Sequence, residues 1–460
     1  MANGMGPCRI APDQVHEVLG QHMLVDGFHI VPDLERSHGS YLVDSRDGKA
    51  YFDLFSNFAS QALGWNHPAF ADPAYRERLL AAALHKPANS DLYTCFFAEF
   101  ISTFARLAVP DSHNRRMFVI EGGALGVENA LKAAFDWKVR RNQAKGLKGE
   151  FGSKVIHFRQ AFHGRTGYTL SLTNTADPRK YALFPKFDWP RISNPKIIFP
   201  LEQHLAEVAD AEARAVAEIE AAVARHGDDI ACLIIEPIQA EGGDHHFRPE
   251  FLRRLRELAD RHDFLLIFDE VQTGLGLTGT MWAWQGLGVE PDLFCFGKKV
   301  QVGGMCSNAR IDEVPDNVFR VSSRINSTWG GNLTDMVRAT RILEVIHDDD
   351  LVANARTMGQ HLQDGLHGLA AEFPELISQV RGRGLMIAFD LPDSAQRNEL
   401  VVAARERALL LLPCGERSIR FRPYLDLTRE DADKALALLA DSLLATRRPY
   451  AGKGAEKATK

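Results

Sequence analysis

The chain has 460 residues, of which 45% are apolar and 25% are charged, a composition typical of a soluble globular protein with more than one domain. Its formal net charge of -6 gives no electrostatic reason to expect binding to nucleic acid or to an anionic membrane. Its six cysteines form no C-x-x-C pair, and its longest apolar runs, such as 408–412, cannot span a bilayer, which argues against a disulfide framework, a zinc knuckle and a membrane protein.

The N-terminal part of the chain shows no secretory signal. It contains a predicted β-hairpin further along. Residues 1–14 contain no basic region followed by an apolar stretch, so we expect a cytoplasmic protein. Residues 41–54 alternate in polarity on both sides of Asp47-Gly48, a dipeptide typical of the tight turn of a β-hairpin. We assign residues 1–75 to one part of a smaller α/β domain.

The middle of the chain alternates short apolar runs with amphipathic stretches. The predicted strands are 117–120, 155–158, 232–235, 264–268 and 293–296. Helical spacing and composition predict helices over 205–225 and 250–262. Strands that alternate with helices favour an α/β domain with a mainly parallel sheet, which we assign to residues 76–335.

The C-terminal part mixes helices with short strands predicted at 385–389, 409–412 and 419–421. We expect residues 336–445 to complete the smaller α/β domain, so that both chain ends form it. The remaining residues, 446–460, are polar and rich in lysine, which is typical of a disordered tail.

An acid and a lysine follow two of the predicted strands. Ligands of parallel α/β sheets bind outside the carboxyl ends of the strands. Asp269 ends the run FLLIFD, and Lys298 follows the next strand in FGKKVQVGG. Asp269 alone is better explained as a helix cap or a structural ion pair. An acid and a lysine that face one cavity, however, are what a pyridoxal 5′-phosphate (PLP) enzyme needs for its pyridinium nitrogen and its Schiff base.

The stretch VIEGGALGVENALKAAF predicts a strand, a glycine turn and a helix. Glycines allow close approach of a ligand, and the free amides at a helix N-terminus bind anions such as a phosphate. Glycine turns before helices are common, so this stretch supports a phosphate site only together with the acid and the lysine.

The segment from LLIFDEVQTG to FCFGKKVQVGG resembles the signature of the fold-type I, class III PLP aminotransferases, D-E-x-x-x-G followed by D-x-x-x-x-G-K. Asp269-Glu270 match its beginning, and the stretch from Asp292 to Lys298 matches its end. The resemblance extends from about residue 40 to about residue 445. Within this class, EGGALGVENALKAAFDWK, AFHGRTGYTLSLTNT and INSTWGGNLTDM are most similar to bacterial L-lysine 6-aminotransferases.

The resemblance implies roles around the PLP ring. Lys298 would form the Schiff base, and Asp269 would pair with the pyridine nitrogen. Gln272 would lie near the phenolic oxygen of the ring and near the substrate. Phe162 would stack on the ring face, although a phenylalanine in this position is otherwise an ordinary core residue.

The resemblance also implies how the rest of the cofactor is held. Gly123 and Ala124 would bind the phosphate through backbone amides, since other class III members have a Ser-Gly-Ser/Thr-Glu turn where this chain has Gly-Gly-Ala-Leu. Glu236 is predicted among the cofactor contacts. Thr328 would reach a phosphate of the neighbouring subunit, which implies a homodimer with shared active sites.

Two arginines and a glutamate would select the substrates. The planar fork of an arginine binds carboxylates well, and Arg165 and Arg420 occupy the two carboxylate-binding positions of the family. The donor, L-lysine, would keep its α-carboxylate at Arg165 while Glu241 neutralises Arg420. The acceptor, 2-oxoglutarate, would bind both arginines with Glu241 swung away. The products would be L-glutamate and 2-aminoadipate 6-semialdehyde, which cyclises to a piperideine carboxylate.

Several alternatives stay open at this point. A 4-aminobutyrate or ornithine aminotransferase would use the same arginines and the same glutamate. Other PLP enzymes of this fold, such as racemases, mutases and decarboxylases, and a non-catalytic PLP-binding relative are disfavoured by the paired arginines with Lys298 and Asp269. For Lys299, the neighbour of the reactive lysine, we expect an exposed charge or one remote from the phosphate.

Overall fold

The structure is a computed structural model that describes residues 10–447. Residues 1–9 and 448–460 lie outside the described residues, and most of the predicted disordered tail over 446–460 lies there with them. Of the two described tail residues, Thr446 ends the last helix and Arg447 follows it.

The strands within residues 10–447, in chain order, are β1 (Tyr41–Val43), β2 (Ala50–Asp53), β3 (Met117–Ile120), β4 (Lys154–Phe158), β5 (Arg191–Ile192), β6 (Ile230–Ile235), β7 (Ile238–Gln239), β8 (His245–His246), β9 (Leu265–Asp269), β10 (Leu293–Phe296), β11 (Gly303–Ser307), β12 (Ser378–Arg383), β13 (Met386–Asp390), β14 (Leu409–Leu410), β15 (Leu412–Cys414) and β16 (Ser418–Phe421).

The helices of the same range are α1 (Val15–Gly20), α2 (Ser56–Ala59), α3 (Pro73–Ala83), α4 (Cys95–Leu107), α5 (Gly123–Ala144), α6 (Gly167–Leu172), α7 (Leu201–His226), α8 (Pro249–Arg261), α9 (Ala283–Leu287), α10 (Leu333–Asp348), α11 (Leu351–Glu372), α12 (Ser394–Glu406) and α13 (Arg429–Thr446). None of the helices in the described part of the chain has both the length and the apolar character that a bilayer crossing requires.

The central sheet has seven strands in the order β3-β11-β10-β9-β6-β4-β5. Only β11 runs antiparallel to its neighbours, and the other pairs are parallel. Every residue of β6, β9 and β10 is buried, as expected for parallel strands covered on both faces. The predicted α/β architecture with a mainly parallel sheet is therefore confirmed.

The helix predicted over 250–262 forms as α8, and its sequence explains its position. It begins at Pro249, whose missing N–H is tolerated in the first turn. Leu252, Leu255 and Leu258 then recur at helical spacing and are fully buried, so this face packs into the core. The helix predicted over 205–225 also forms, as the longer α7.

Strand β11 was not predicted, and its glycines explain why. A side chain on Gly303 would place its Cβ 2.2 Å from the carbonyl oxygen of Gly122, and one on Gly304 would place it 2.2 Å from that of Phe118. Glycine weakens the sequence pattern of a strand, but here only glycine lets the strand pass beside the turn that precedes α5.

The chain ends form two smaller sheets, and they meet in one of them. The predicted hairpin is confirmed, with β1 antiparallel to β2 and Tyr41 opposite Phe52. The predicted strand over 409–412 divides in two: β14 joins β2 in parallel, whereas β15 joins β16 in the four-stranded sheet β12-β13-β16-β15. Strands from both chain ends thus share one sheet, while the domain bounds 1–75, 76–335 and 336–445 stay a prediction.

Candidate active site

Asp269 and Lys298 emerge at the same edge of the central sheet. Asp269 is the last residue of β9 and lies opposite Cys295 on the parallel neighbour β10. Lys298 follows Cys295 by three residues. The Asp269 side chain is buried, and its Oδ1 accepts a hydrogen bond of 3.0 Å from the backbone N–H of Val271. Asp269 and Lys298 thus follow adjacent parallel strands, and their roles toward the cofactor stay a prediction.

His163 is a site residue that the sequence analysis missed. Its Nδ1 lies 2.8 Å from Oδ2 of Asp269, and its ring is buried. Burial lowers the pKa of the imidazole, but the hydrogen bond and the negative charge of Asp269 outweigh burial and raise that pKa above its ordinary value. The only signal in the sequence was the position of His163 beside Phe162 in AFHGR.

Lys298 begins a short 3-10 turn with a left-handed backbone, at φ 48°. Among residues 10–447 its amine has no hydrogen-bond partner. Burial, followed by the positive charge of Arg420, lowers the pKa of Lys298 to about 8, against the opposing effect of Asp269. A lysine with such a pKa has a substantial neutral fraction near neutral pH and can act as a nucleophile or a base.

Lys299 corrects our expectation of an exposed charge. It is buried, and its Nζ donates a hydrogen bond of 2.8 Å to the carbonyl oxygen of Ala59. Ala59 ends α2, a single turn whose four residues all have positive φ. Burial also lowers the pKa of Lys299 well below its ordinary value. The 3-10 turn thus directs the two neighbouring lysines to different surroundings.

The glycine turn before α5 forms a backbone cradle. Gly122 precedes the helix at φ 86°, and no side chain caps the amides of the first turn. A Cβ on Gly123 would lie 2.6 Å from Cγ1 of Val271, and one on Gly297 would lie 3.0 Å from Cα of Gly123. The segment after β10 therefore approaches the start of α5 closely. The backbone N–H groups in the first turn of α5 have no side-chain cap, an arrangement that fits a phosphate. The predicted contacts of Gly123 and Ala124 stay a prediction.

Glu236 and Phe162 are joined through the backbone. One carboxylate oxygen of Glu236 accepts from the N–H of Phe162 at 2.9 Å, and the other accepts from the N–H of Ala240 at 3.1 Å. Burial raises the pKa of Glu236 to about 7, although the positive charge of His163 opposes this shift. Glu236 thus fixes the backbone that carries Phe162, and a direct contact with the cofactor stays a prediction.

Arg420, Glu241 and Gln272 form one cluster. Arg420 lies on β16, is 2% exposed, and donates to Glu241 Oε2 at 2.9 Å and to Gln272 Oε1 at 3.1 Å. Gln272 Oε1 also accepts from Nε of Arg422 at 3.1 Å, and Arg422 forms a fully buried ion pair with Asp244. The sequence analysis missed the pair of Arg422 with Asp244. Through Arg422, this pair holds the side-chain amide of Gln272 in position.

Within residues 10–447, Arg165 and Thr328 make no hydrogen bond or ion pair with this cluster. Arg165 is exposed, and within residues 10–447 its guanidinium makes no hydrogen bond or ion pair, so it is available to a carboxylate. It follows Gly164, where a Cβ would lie 2.6 Å from Cβ of Ala124 at the glycine turn. Thr328 is exposed on the loop before α10 and, within the described range, has no hydrogen bond to another predicted site residue.

The family model for class III aminotransferases matches residues 25–443. The chain belongs to the class III aminotransferases. The cofactor of this family is PLP, and the residues present fit it: Lys298 is a free amine of lowered pKa, Asp269 is a buried acid, and the glycine turn before α5 offers free amides. The chain is therefore a PLP-dependent aminotransferase of fold-type I.

Several relatives match this aminotransferase over nearly their whole length. The L-lysine-epsilon aminotransferase of Mycobacterium tuberculosis is 54% identical over 433 residues, which are 94% of this chain and 96% of that protein. The L-lysine-epsilon aminotransferase of Streptomyces clavuligerus is 51% identical over 435 residues, 94% of each chain. A solved structure of lysine aminotransferase from M. tuberculosis in the internal aldimine form superposes with a TM-score of 0.93 at 54% identity, covering 95% of this chain and 100% of that one.

The other acids of the family signature have structural roles in this aminotransferase. Glu270 accepts hydrogen bonds from the N–H groups of Ala283 at 3.0 Å and Trp284 at 2.9 Å, and so fixes the start of α9. Asp292 accepts from the N–H of Leu266 at 2.7 Å and pairs with Arg256 at 2.8 Å. Of the three matched acids, Asp269 is the one at the site.

Proposed function

We propose that this aminotransferase transfers the ε-amino group of L-lysine to 2-oxoglutarate, giving L-glutamate and 2-aminoadipate 6-semialdehyde, which cyclises to a piperideine carboxylate. The observation that carries the proposal is the ion pair of the buried Arg420 with the half-buried Glu241, on a chain 54% identical to a lysine aminotransferase. When Glu241 pairs with Arg420, the pocket has no net charge at this position, which suits the amine of lysine. When Glu241 leaves, Arg420 presents a positive charge, which suits the second carboxylate of 2-oxoglutarate.

The donor is bound with Arg420 neutralised. The α-carboxylate of lysine pairs with the free guanidinium of Arg165, and its ε-amine is directed toward Lys298. Glu241 stays on Arg420 in this half-reaction, because an unpaired buried guanidinium would repel the incoming amine where solvent screens charges poorly.

The acceptor is bound with Arg420 released. The distal carboxylate of 2-oxoglutarate takes Arg165, the position that the lysine carboxylate held. Its α-carboxylate replaces Glu241 on Arg420, where the planar guanidinium offers two parallel N–H donors. Gln272, which already accepts from Arg420, keeps the guanidinium oriented during the exchange.

Proton movement is assigned to this chain's own residues. When bound, PLP supplies the electron sink that stabilises negative charge at the reacting carbon. Lys298 Nζ takes and returns the proton at that carbon, a task suited to an amine whose pKa is about 8. Asp269, held by His163, keeps a proton at the pyridine nitrogen.

The assembly and the location follow the same proposal. We expect a homodimer in which the exposed Thr328 reaches the phosphate of the neighbouring active site, as the family resemblance implies. We expect the enzyme to act in the cytoplasm.

A donor panel tests the proposed function. The purified holoenzyme is assayed with 2-oxoglutarate and with lysine, ornithine or 4-aminobutyrate, in the presence of a reagent that traps the cyclic imine. Lysine is expected to have the highest kcat/KM, by about tenfold over ornithine, since one methylene in a fitted pocket contributes at least that factor. Faster turnover of ornithine or 4-aminobutyrate would assign the enzyme to another ω-aminotransferase. Turnover of lysine without any need for the acceptor would indicate a PLP reaction other than transamination.

A further inference from the structure

The Glu241 carboxylate contacts two cations, one deep and one at the rim. Its Oε2 accepts from Arg420, whose side chain is 2% exposed. Its Oε1 accepts from the ammonium of Lys180, whose side chain is 26% exposed. Lys180 is the last residue of a 3-10 turn, Pro178–Lys180, on the loop between α6 and β5. No sequence motif indicated this lysine, because it lies 61 residues before Glu241.

The backbone around Glu241 is fixed on both sides. The Glu241 carbonyl accepts from the N–H of Gly415 at 3.0 Å, and the N–H of Asp244 closes a turn onto the Ala240 carbonyl at 3.1 Å. At Gly242, a Cβ would lie 2.0 Å from the carbonyl oxygen of Gln160, so the chain is packed tightly there. Any movement of the carboxylate is therefore a side-chain rotation about a stationary Cα.

We propose that Lys180 is a positioning residue that retains the Glu241 carboxylate when the acceptor takes Arg420. This inference rests on the proposed function, in which Glu241 must leave Arg420. The Glu241 side chain is only 18% exposed, so a carboxylate without a cation is costly in this position. Because Oε1 is already on Lys180, the rotation that frees Arg420 preserves one ion pair. Lys180 thereby favours dicarboxylate binding without touching the ligand.

The neighbouring Arg179 provides a matched control for the loss of a positive charge on the same turn. Its side chain is 88% exposed and pairs with Asp177 rather than with Glu241. An Arg179→Met variant removes one cation from this loop and leaves the Glu241 cluster unaltered. A Lys180→Arg variant keeps the charge at the rim and is expected to restore the native behaviour.

Binding of glutarate to the holoenzyme tests the proposal. Glutarate has the two carboxylates of 2-oxoglutarate but no carbonyl group, so calorimetry measures its dissociation constant without turnover. Lys180→Met is expected to weaken glutarate binding about two- to fivefold, the range of a partly exposed ion pair. Glu241→Ala is expected to strengthen it, because Arg420 is then free. In the Glu241→Ala background, Lys180→Met is expected to have no further effect, and Arg179→Met none in either background.

Three results would overturn the proposal. Equal weakening by Lys180→Met with and without Glu241 would show that Lys180 acts on the ligand directly. Unchanged binding in Lys180→Met, with native PLP content and thermal stability, would show that its contact with Glu241 does not affect acceptor binding. Unchanged glutarate binding in Glu241→Ala would remove the exchange at Arg420 itself, and with it the proposed function's account of two substrates. The first two results leave that account intact.

Discussion

Two adjacent lysines differ in their chemistry because one short turn directs them to different surroundings. The Lys298 amine lies at the sheet edge beside Asp269 with no hydrogen-bond partner among the described residues, whereas Lys299 is held by the Ala59 carbonyl. The family pattern assigns the Schiff base to Lys298, and that assignment stays a prediction. The burial of Lys299 could not be predicted, because its partner is 240 residues away in the chain and the doubled lysine carries no local sign of burial.

Substitution of the two lysines is therefore expected to give opposite results. Lys298→Ala should abolish covalent attachment of PLP, because it removes the only nucleophile assigned to that role. Lys299→Met should retain it, since Nζ of Lys299 faces the carbonyl of Ala59. Borohydride reduction followed by peptide mass spectrometry locates the modified residue. Retained modification in Lys298→Ala, at Lys299 or elsewhere, would contradict the assignment.

The lowered pKa of Lys298 predicts how fast PLP attaches to the cofactor-free enzyme at different pH values. Only the neutral amine is a nucleophile, so the rate should rise with pH and level off above about 8, where Lys298 is deprotonated. With the ordinary lysine pKa of 10.5, the rate would rise over about 2.5 further pH units. Stopped-flow absorbance measures the rate. A continued rise beyond pH 9 would show that Asp269 and hydration restore the ordinary pKa.

At the scale of secondary-structure elements, strands and helices with a regular apolar pattern could be predicted from the sequence. Elements that depend on the close approach of two backbone segments could not. Strands β3 and β10 and helix α8 formed where the apolar spacing predicted them. Strand β11 was missed because glycines replaced the apolar pattern, and the single strand predicted over 409–412 divides between two sheets. Both misses depend on contacts between distant segments, which local patterns do not encode.

The close approach at the glycine turn gives a test of the phosphate cradle. Gly123→Ala would place a Cβ 2.6 Å from the stiff side chain of Val271, so the turn must shift, at a cost of about 1–3 kcal/mol. We expect a lower melting temperature and faster loss of PLP on dialysis, followed by its absorbance.

Gly368→Ala is the matched control for this substitution. Gly368 lies in helix α11, and a Cβ there meets no atom within 4 Å. Alanine has the better helix propensity, so stability should be unchanged or slightly higher, with native PLP retention. Equal PLP retention in Gly123→Ala and Gly368→Ala would show that the turn before α5 does not hold the cofactor.

At the scale of the whole molecule, one predicted site residue makes no hydrogen bond to the others within residues 10–447. This residue is Thr328, whose side chain is exposed. The sequence suggested a role for it only through the family resemblance. The homodimer with shared sites that we propose would account for this exposure.

Mixed dimers test whether Thr328 acts across the interface. A dimer of one Lys298→Ala subunit and one Thr328→Ala subunit has one fully native site if Thr328 serves the neighbouring subunit. We expect about half of the native activity per dimer from co-purified, differently tagged subunits. If Thr328 instead serves its own subunit, no native site remains, and the mixed dimer should be no more active than half of the Thr328→Ala homodimer.

The central claim is that this aminotransferase removes the ε-amine of lysine while Arg165 holds its α-carboxylate. The most direct measurement supplies the holoenzyme with 2-oxoglutarate and with lysine carrying ¹⁵N at either the ε- or the α-position, and follows the label into glutamate by mass spectrometry. Glutamate is expected to carry the label from ε-¹⁵N-lysine and none from α-¹⁵N-lysine. Label transferred from the α-position would show that lysine binds in the opposite orientation and would contradict the account.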